Sequence, residues 1–263
     1  MKNITFVSAW YNIKSKFNIK IYQKWMSNFL SNIQNFYLII YTNKESYYVI
    51  EPFINNNNIK VIFREFDEFF CNKYNWVENH KKNDLLNEKS RFNTDWKLNM
   101  LWNEKINFLN DVIKNNIFDT EWYGWCDIGY FRNNNSIVNN WPNNKKIEQL
   151  DKNKIYYAKV NKNINNICKI ILNKNDYGLP KIPIPPNQNS FAGGFFILHQ
   201  TMYEWWFQTY YNKLDAYFNH NYLIKDDQII IVDCIINNLS QFCIIEERNK
   251  TKDPWFVFQN YLL

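Results

Sequence analysis

The feature that most constrains this chain is the alternation of short apolar runs with longer amphipathic segments. ITFVSAW (4–10) has the length and composition of a strand. From about 15 to 33 the apolar residues Phe17, Ile21, Trp25, Phe29, Leu30 and Ile33 recur at helical spacing. FYLIIYTN (36–43) and IKVIFREF (59–66) are strand-like again. Strand, helix and strand joined by crossovers of this length describe a parallel α/β sheet wound right-handed.

The pattern continues downstream. The polar stretch 70–90 is expected to be loop or short helices. Leu98, Leu101, Trp102, Leu109 and Val112 mark an amphipathic helix from 95 to about 113, with Thr94 or Asp95 placed to cap it. WYGWCDI then reads as a strand ending at Asp127 and turning at Gly129. KIYYAKV (154–160) is a further strand, and the Asn-rich and proline-rich stretch after it, through GLPKIPIPP (178–186), reads as loop. FAGGFFILHQ (191–200) is strand-like, MYEWWFQTYYNKLDAYF (202–218) is an aromatic helix, another helix opens at KDDQ (225–228), and FCIIEE (242–247) is a last strand. No repeat and no linker between two compositions is visible, so a single domain over 1–263 is expected.

Composition narrows the class. With 46% hydrophobic and 19% aromatic residues the chain is globular rather than disordered. A formal charge of +6 suits an anionic small ligand as well as a nucleic acid. Five scattered cysteines form no C-x-x-C pair, which points away from a zinc site or disulfide framework and toward a reducing, cytoplasmic setting. The N-terminal apolar stretch is too short for a signal peptide, and no run approaches the roughly 18 apolar residues of a membrane span.

There are only five glycines, and four of them, Gly124, Gly129, Gly193 and Gly194, fall in two short stretches. In EWYGWCDIGYFR (121–132) the carboxylate Asp127 sits among aromatics at an expected strand end, where ligands of parallel sheets bind. An unpaired buried carboxylate costs several kcal/mol, so something must compensate it. A divalent cation, Mn2+ or Mg2+, is one reading; an ion pair with Arg132 or Lys97 is the other. At Gly193 and Gly194 the missing side chains would let a sugar ring approach the backbone, or they mark a bulge. His199 is a candidate second metal ligand or a structural histidine. Asp226, Asp227 and Gln228 open a helix, as first-turn acids or as base, nucleophile or orienting group. Lys97 and Arg91 are candidates to counter a diphosphate, and Ala9 and Trp10 end the first strand, where the indole could stack on a nucleobase.

FVSAWYNI, WKLNMLWNEK (96–105), WCDIGYFR, FAGGFFILH and KDDQ, in this order, resemble the HtrL/YibB-type (WlaTC-like) family of glycosyltransferases, related to nucleotide-sugar transferases of GT-A fold. The resemblance implies a GT-A-like α/β domain with a central, mostly parallel mixed sheet flanked by helices. It implies a nucleotide-sugar donor, a UDP-sugar first, and a hydroxyl of a glycan or other molecule as acceptor. It also implies that Asp127 to Gly129 stand where such enzymes carry D-x-D, that Gly193 and Gly194 border the donor sugar, and that Asp227 and Gln228 lie near the anomeric carbon. The second carboxylate of D-x-D is absent here, and the tail DPWFVFQNYLL lacks the metal-binding histidine of glycogenin-like relatives. A silent carbohydrate- or nucleotide-binding protein of the same fold is the alternative. A nucleic-acid binder ranks last, because the basic residues are spread along the chain and no recognition motif of that class occurs.

Overall fold

The computed structural model describes residues 2–31, 33–73, 76–88, 94–133 and 140–263. β1 (Ile4–Trp10) leads to α1 (Ile19–Leu30), β2 (Tyr37–Thr42), the short α2 (Tyr47–Ile50) and β3 (Ile59–Phe63). Then come α3 (Phe70–Lys73), α4 (Val77–Glu88), the long α5 (Trp96–Lys114) and β4 (Trp122–Cys126). They are followed by α6 (Asn144–Glu148), β5 (Ile155–Lys159), α7 (Asn165–Leu172), β6 (Phe191–His199), α8 (Tyr203–Asn219), α9 (Asp227–Asn237), β7 (Phe242–Glu246) and α10 (Phe258–Tyr261). Two side chains set helix starts by satisfying free backbone donors: Asn18 accepts from the Ile21 N–H at 3.1 Å, and Asp95, rather than Thr94, accepts from the Lys97 N–H at 2.9 Å.

The described strands form one sheet in the order β3-β2-β1-β4-β6-β5-β7. β6 runs antiparallel to both of its neighbours, and the remaining pairings are parallel. This is the expected central, mostly parallel mixed sheet flanked by helices. Alternation along the strands divides the core between the two faces. Val7, Ile39, Tyr41, Tyr123, Trp125 and Phe196 look toward α5, α8 and α9, where Phe108, Trp206 and Ile230 meet them. Phe6, Leu38, Ile40, Trp122, Phe195 and Ile197 look the other way, toward Met26 and Phe29 of α1 and Phe258 of α10.

Gly124 belongs to this packing rather than to a ligand site. A Cβ there would stand 2.6 Å from the Phe196 carbonyl oxygen and 2.8 Å from the Phe6 ring, so only glycine lets β4 lie this close to β6. One expectation needs correction. The Asn-rich stretch after β5 holds α7, because Ile167, Cys168, Ile170 and Ile171 share a face that packs on the core under α9. No helix among the described residues is long and apolar enough to cross a membrane.

Candidate active site

The carboxyl ends of β1 and β4 and the start of β6 meet at one edge of the sheet, where a cleft of about 600 Å3 opens. Asp127 follows β4 directly. Its N–H donates to the Gly194 carbonyl at 2.9 Å, and its carbonyl accepts from the Tyr130 N–H at 2.9 Å, so the chain turns at once. The side chain is 43% exposed and lines the cleft. Asp127 is therefore anchored through its backbone while its carboxylate stays open to a ligand.

The compensating charge comes from α5. Lys105 Nζ lies 3.2 Å from Asp127 Oδ1, 3.0 Å from Asp227 Oδ2 and 2.9 Å from the Gly193 carbonyl oxygen, with its side chain only 6% exposed. One ammonium thus ties together the ends of β4, β6 and α9. Burial works to lower the Lys105 pKa, but the two carboxylates outweigh it and hold the group above its ordinary range. Trp125 adds a hydrogen bond from Nε1 to Asp127 Oδ1 at 2.6 Å. Neither Arg132 nor Lys97 is the partner.

Lys105 has a sign in the sequence. It stands seven residues after Leu98 and four after Leu101, so a charged residue falls on the apolar stripe of the helix.

Gly193 and Gly194 serve the carboxylates. A Cβ on Gly193 would meet the Asp227 oxygens at 2.7 and 2.8 Å, and one on Gly194 would meet Asp127 Oδ2 at 3.0 Å. The glycines make room for the two acids; a Cβ on Gly129 would instead meet the Trp25 ring at 2.8 Å.

Asp227 opens α9, with its side chain 6% exposed. Burial pushes its carboxyl up to about 6, Lys105 pulls it down and Asp226 pushes it further up. Asp226 is also raised by burial and lies 3.7 Å from Lys225 Nζ. Asp226, Asp227 and Gln228 all line the cleft, as do Ala9, Trp10, Gly129, Gly193 and Gly194. Trp10 Nε1, Thr94 Oγ1 and Gln228 Oε1 are buried there without a hydrogen-bond partner among the described residues. Each such atom costs about 1–3 kcal/mol unless something binds it.

The structure separates two residues from this group. Lys97 lies with its ammonium 5.1 Å from the Phe66 ring and lines a different pocket, with Asn43 and Glu65. His199 ends β6, paired with Trp122 at the start of β4, six residues and so about 20 Å from Gly193. Its Nδ1 is 2.9 Å from Thr201 Oγ1 and its Nε2 is 3.9 Å from Glu121. Antiparallel pairing carries it to the opposite edge of the sheet, so it cannot share an ion with Asp127. Arg91 lies outside the described residues.

The described residues assemble no ligand set of their own for the expected Mn2+ or Mg2+. Oδ1 of Asp127 is engaged by an ammonium and an indole N–H, the same ammonium holds Asp227, and the D-x-G sequence supplies no second acid. Among the described residues no group of three or more His, Cys, Asp or Glu side chains is gathered to hold an ion.

Two more cations stand in the cleft: Lys16, which no motif of the sequence singles out, and Arg132, expected only as a possible partner of Asp127. Lys16, in the loop after β1, lines the cleft with its ammonium 4.8 Å from the Trp102 ring centre. Arg132 lines it too, its guanidinium 4.5 Å from the Trp25 ring and 5.1 and 5.4 Å from Phe256 and Phe17.

No protein-family profile and no curated protein matches the chain. Among solved structures it is similar to the galactosyltransferase LgtC in complex with donor and acceptor sugar analogs, at 11% identity over 91% of this chain and 72% of that one, TM-score 0.44. It is also similar to 4-diphosphocytidyl-2C-methyl-D-erythritol synthase from Anaerococcus prevotii DSM 20548, at 12% identity over 98% and 95% of the two chains, TM-score 0.43. A third is the glycosyltransferase GlyE of Streptococcus pneumoniae TIGR4, at 11% identity over 93% of this chain and 45% of that one, TM-score 0.43. What the cleft does is read from its own residues.

Proposed function

We propose that the protein is a GT-A-type glycosyltransferase that moves a sugar from a nucleoside-diphosphate sugar, a UDP-sugar being the first to try, to a hydroxyl of a glycan or other acceptor. The observation that carries this reading is the Asp127–Lys105–Asp227 clamp at the carboxyl edge of the sheet, opening on a cleft lined by aromatics and cations. The ordered motifs that resemble the HtrL/YibB-type family converge on it: FVSAW supplies Ala9 and Trp10, WKLNMLWNEK ends on Lys105, and FAGGFFILH and KDDQ bring Gly193 and Asp227 together.

Glycosyl transfer breaks the bond between the anomeric carbon and the phosphate oxygen, which leaves with the electron pair, while an acceptor oxygen bonds to that carbon and loses its proton. Negative charge grows on the leaving diphosphate, and cations aimed at it lower the barrier. Asp227 takes the acceptor proton in an inverting route. In a retaining route Gln228, whose Oε1 has no partner among the described residues, faces the opposite side of the reacting carbon. The acceptor-only surface of Asp127, Asp227 and Gln228 Oε1 suits sugar hydroxyls, which donate.

The test is release of nucleoside diphosphate from a panel of nucleotide sugars. Turnover is expected with at least one donor and is lost in Asp127→Asn; no hydrolysis and no donor binding across the panel would refute the reading. The base must be ionised, so the acid limb follows from Asp227. Its pKa near 6 means that turnover rises with pH through about 6 and levels off near neutrality. Linkage has the opposite sign. A carboxyl raised above its unfolded value of 3.8 favours the folded state at low pH, and that contribution is lost as pH rises through about 6. An activity loss on the acid side therefore reports chemistry and not loss of the Asp227 contribution to folding. A flat profile between pH 5 and pH 7 would remove Asp227 from the base role, since the ionised fraction changes most across about that interval.

A further inference from the structure

We infer that the cleft anchors the diphosphate of its donor with its own side-chain cations, Lys16 and Arg132, and needs no divalent ion to do so. The inference rests on the nucleotide-sugar reading above and goes beyond it by naming what holds the leaving group.

The cleft's cations divide by partner. Lys105 is engaged: it donates to the Gly193 carbonyl and lies within ion-pair distance of Asp127 and Asp227, so two carboxylates oppose its single charge. Lys225 has Asp226 at 3.7 Å. Lys16 and Arg132 differ, since neither has a carboxylate within 4.0 Å among the described residues. What faces them instead is aromatic: Trp102 beneath the ammonium, and Trp25, Phe256 and Phe17 around the guanidinium.

Aromatic faces attract a cation but supply no hydrogen-bond acceptor in line with its N–H groups, so those donors remain for an anion. Lys16 is also substantially desolvated, and burial holds its pKa below the ordinary lysine range. Asp226 and Asp227 pull it back up only from beyond ion-pair distance, and a partly desolvated ammonium with no direct ion pair gains from a bound anion. Both cations line the cleft, and Phe17, the next residue after Lys16, is one of the rings against which Arg132 rests.

The anion these cations suit carries about two charges over two phosphoryl groups, as the diphosphate of a nucleotide sugar does. A guanidinium can take two phosphate oxygens in a fork, and an ammonium a third. At Asp127, by contrast, the position expected for a divalent ion already faces an ammonium. The chain has thus placed one lysine against the acids and left a second lysine and an arginine for the phosphates.

Calorimetric titration with uridine diphosphate tests this, once with excess EDTA and once with manganese chloride. The expected result is an affinity that agrees within about twofold between the two buffers and weakens about tenfold or more in Lys16→Met and in Arg132→Leu, the scale of a lost charged hydrogen bond. Both side chains lie at the cleft rather than in the core, and matching melting curves confirm that the variants fold. Lys97→Met, altered in the other pocket, is expected to bind like the parent protein. Binding that appears only with manganese would overturn the inference while leaving the nucleotide-sugar reading intact. So would chelator-insensitive binding that both variants retain at full strength. An absence of binding in either buffer would overturn the inference and the reading together.

Discussion

Lys105→Met is expected to lower folding stability by about 3–5 kcal/mol at neutral pH, the usual cost of removing one partner from a buried ion pair. Methionine nearly matches the length of the lysine stem, so packing against Trp125 is largely kept and the electrostatic loss dominates. That loss falls mainly on Asp227, whose side chain is 6% exposed; Asp127, at 43% exposed, is screened by solvent and contributes little. The Gly193 carbonyl also loses its donor. With Lys105 gone, Asp227 loses what pulls its pKa down and moves above about 6. At neutral pH part of the population then carries a neutral acid, and turnover falls with stability.

For a chain of this size the melting temperature should drop on the order of 10 °C. Adding Asp227→Asn to Lys105→Met should restore part of the lost stability, because the second change removes the stranded charge; the two residues couple rather than add. A melting temperature within about 2 °C of the parent in Lys105→Met would show that the clamp carries little energy.

Asp227→Asn alone separates chemistry from folding. The amide keeps the shape that Gly193 accommodates, and the fold already favours an uncharged group at this position, as the raised carboxyl shows. Melting is expected to change by only a few degrees. Turnover is expected to fall about a hundredfold to ten-thousandfold, the range for loss of a positioned proton acceptor. The fall should lie in kcat with KM little altered, since the acceptor proton moves only in the transition state. Steady-state kinetics with the best donor of the panel measure both. A kcat within about tenfold of the parent would place the base elsewhere.

The course of the chain was open to reading because periodicity is local. β1 spans the apolar run seen in the sequence, and α5 begins one residue after the Asp95 that caps it. Asp127, Gly193 and Asp227 were legible for a similar reason: acids and scarce glycines stand out at expected element ends. What failed depended on tertiary geometry. His199 and Gly193 share one strand, but the antiparallel course of β6 puts them at opposite edges of the sheet. Gly193 and Gly194 do line the cleft, and their missing side chains also leave room for Asp227 and Asp127, which only the folded chain shows. Lys105 carried a visible sign, a charge on an apolar stripe. Lys16 carries none and Arg132 stands out only as a possible partner of Asp127, because having no carboxylate within 4.0 Å among the described residues is a property of the folded chain.

A crystal structure of the protein with uridine diphosphate tests the central claim most directly. The expected result is a nucleotide in the cleft at the carboxyl edge of the sheet, with its phosphates between Lys16 and Arg132 and its terminal end directed toward Asp127 and Asp227. A nucleotide seated instead in the pocket beside Asn43 and Lys97, or a cleft that stays empty at saturating nucleotide, would contradict it.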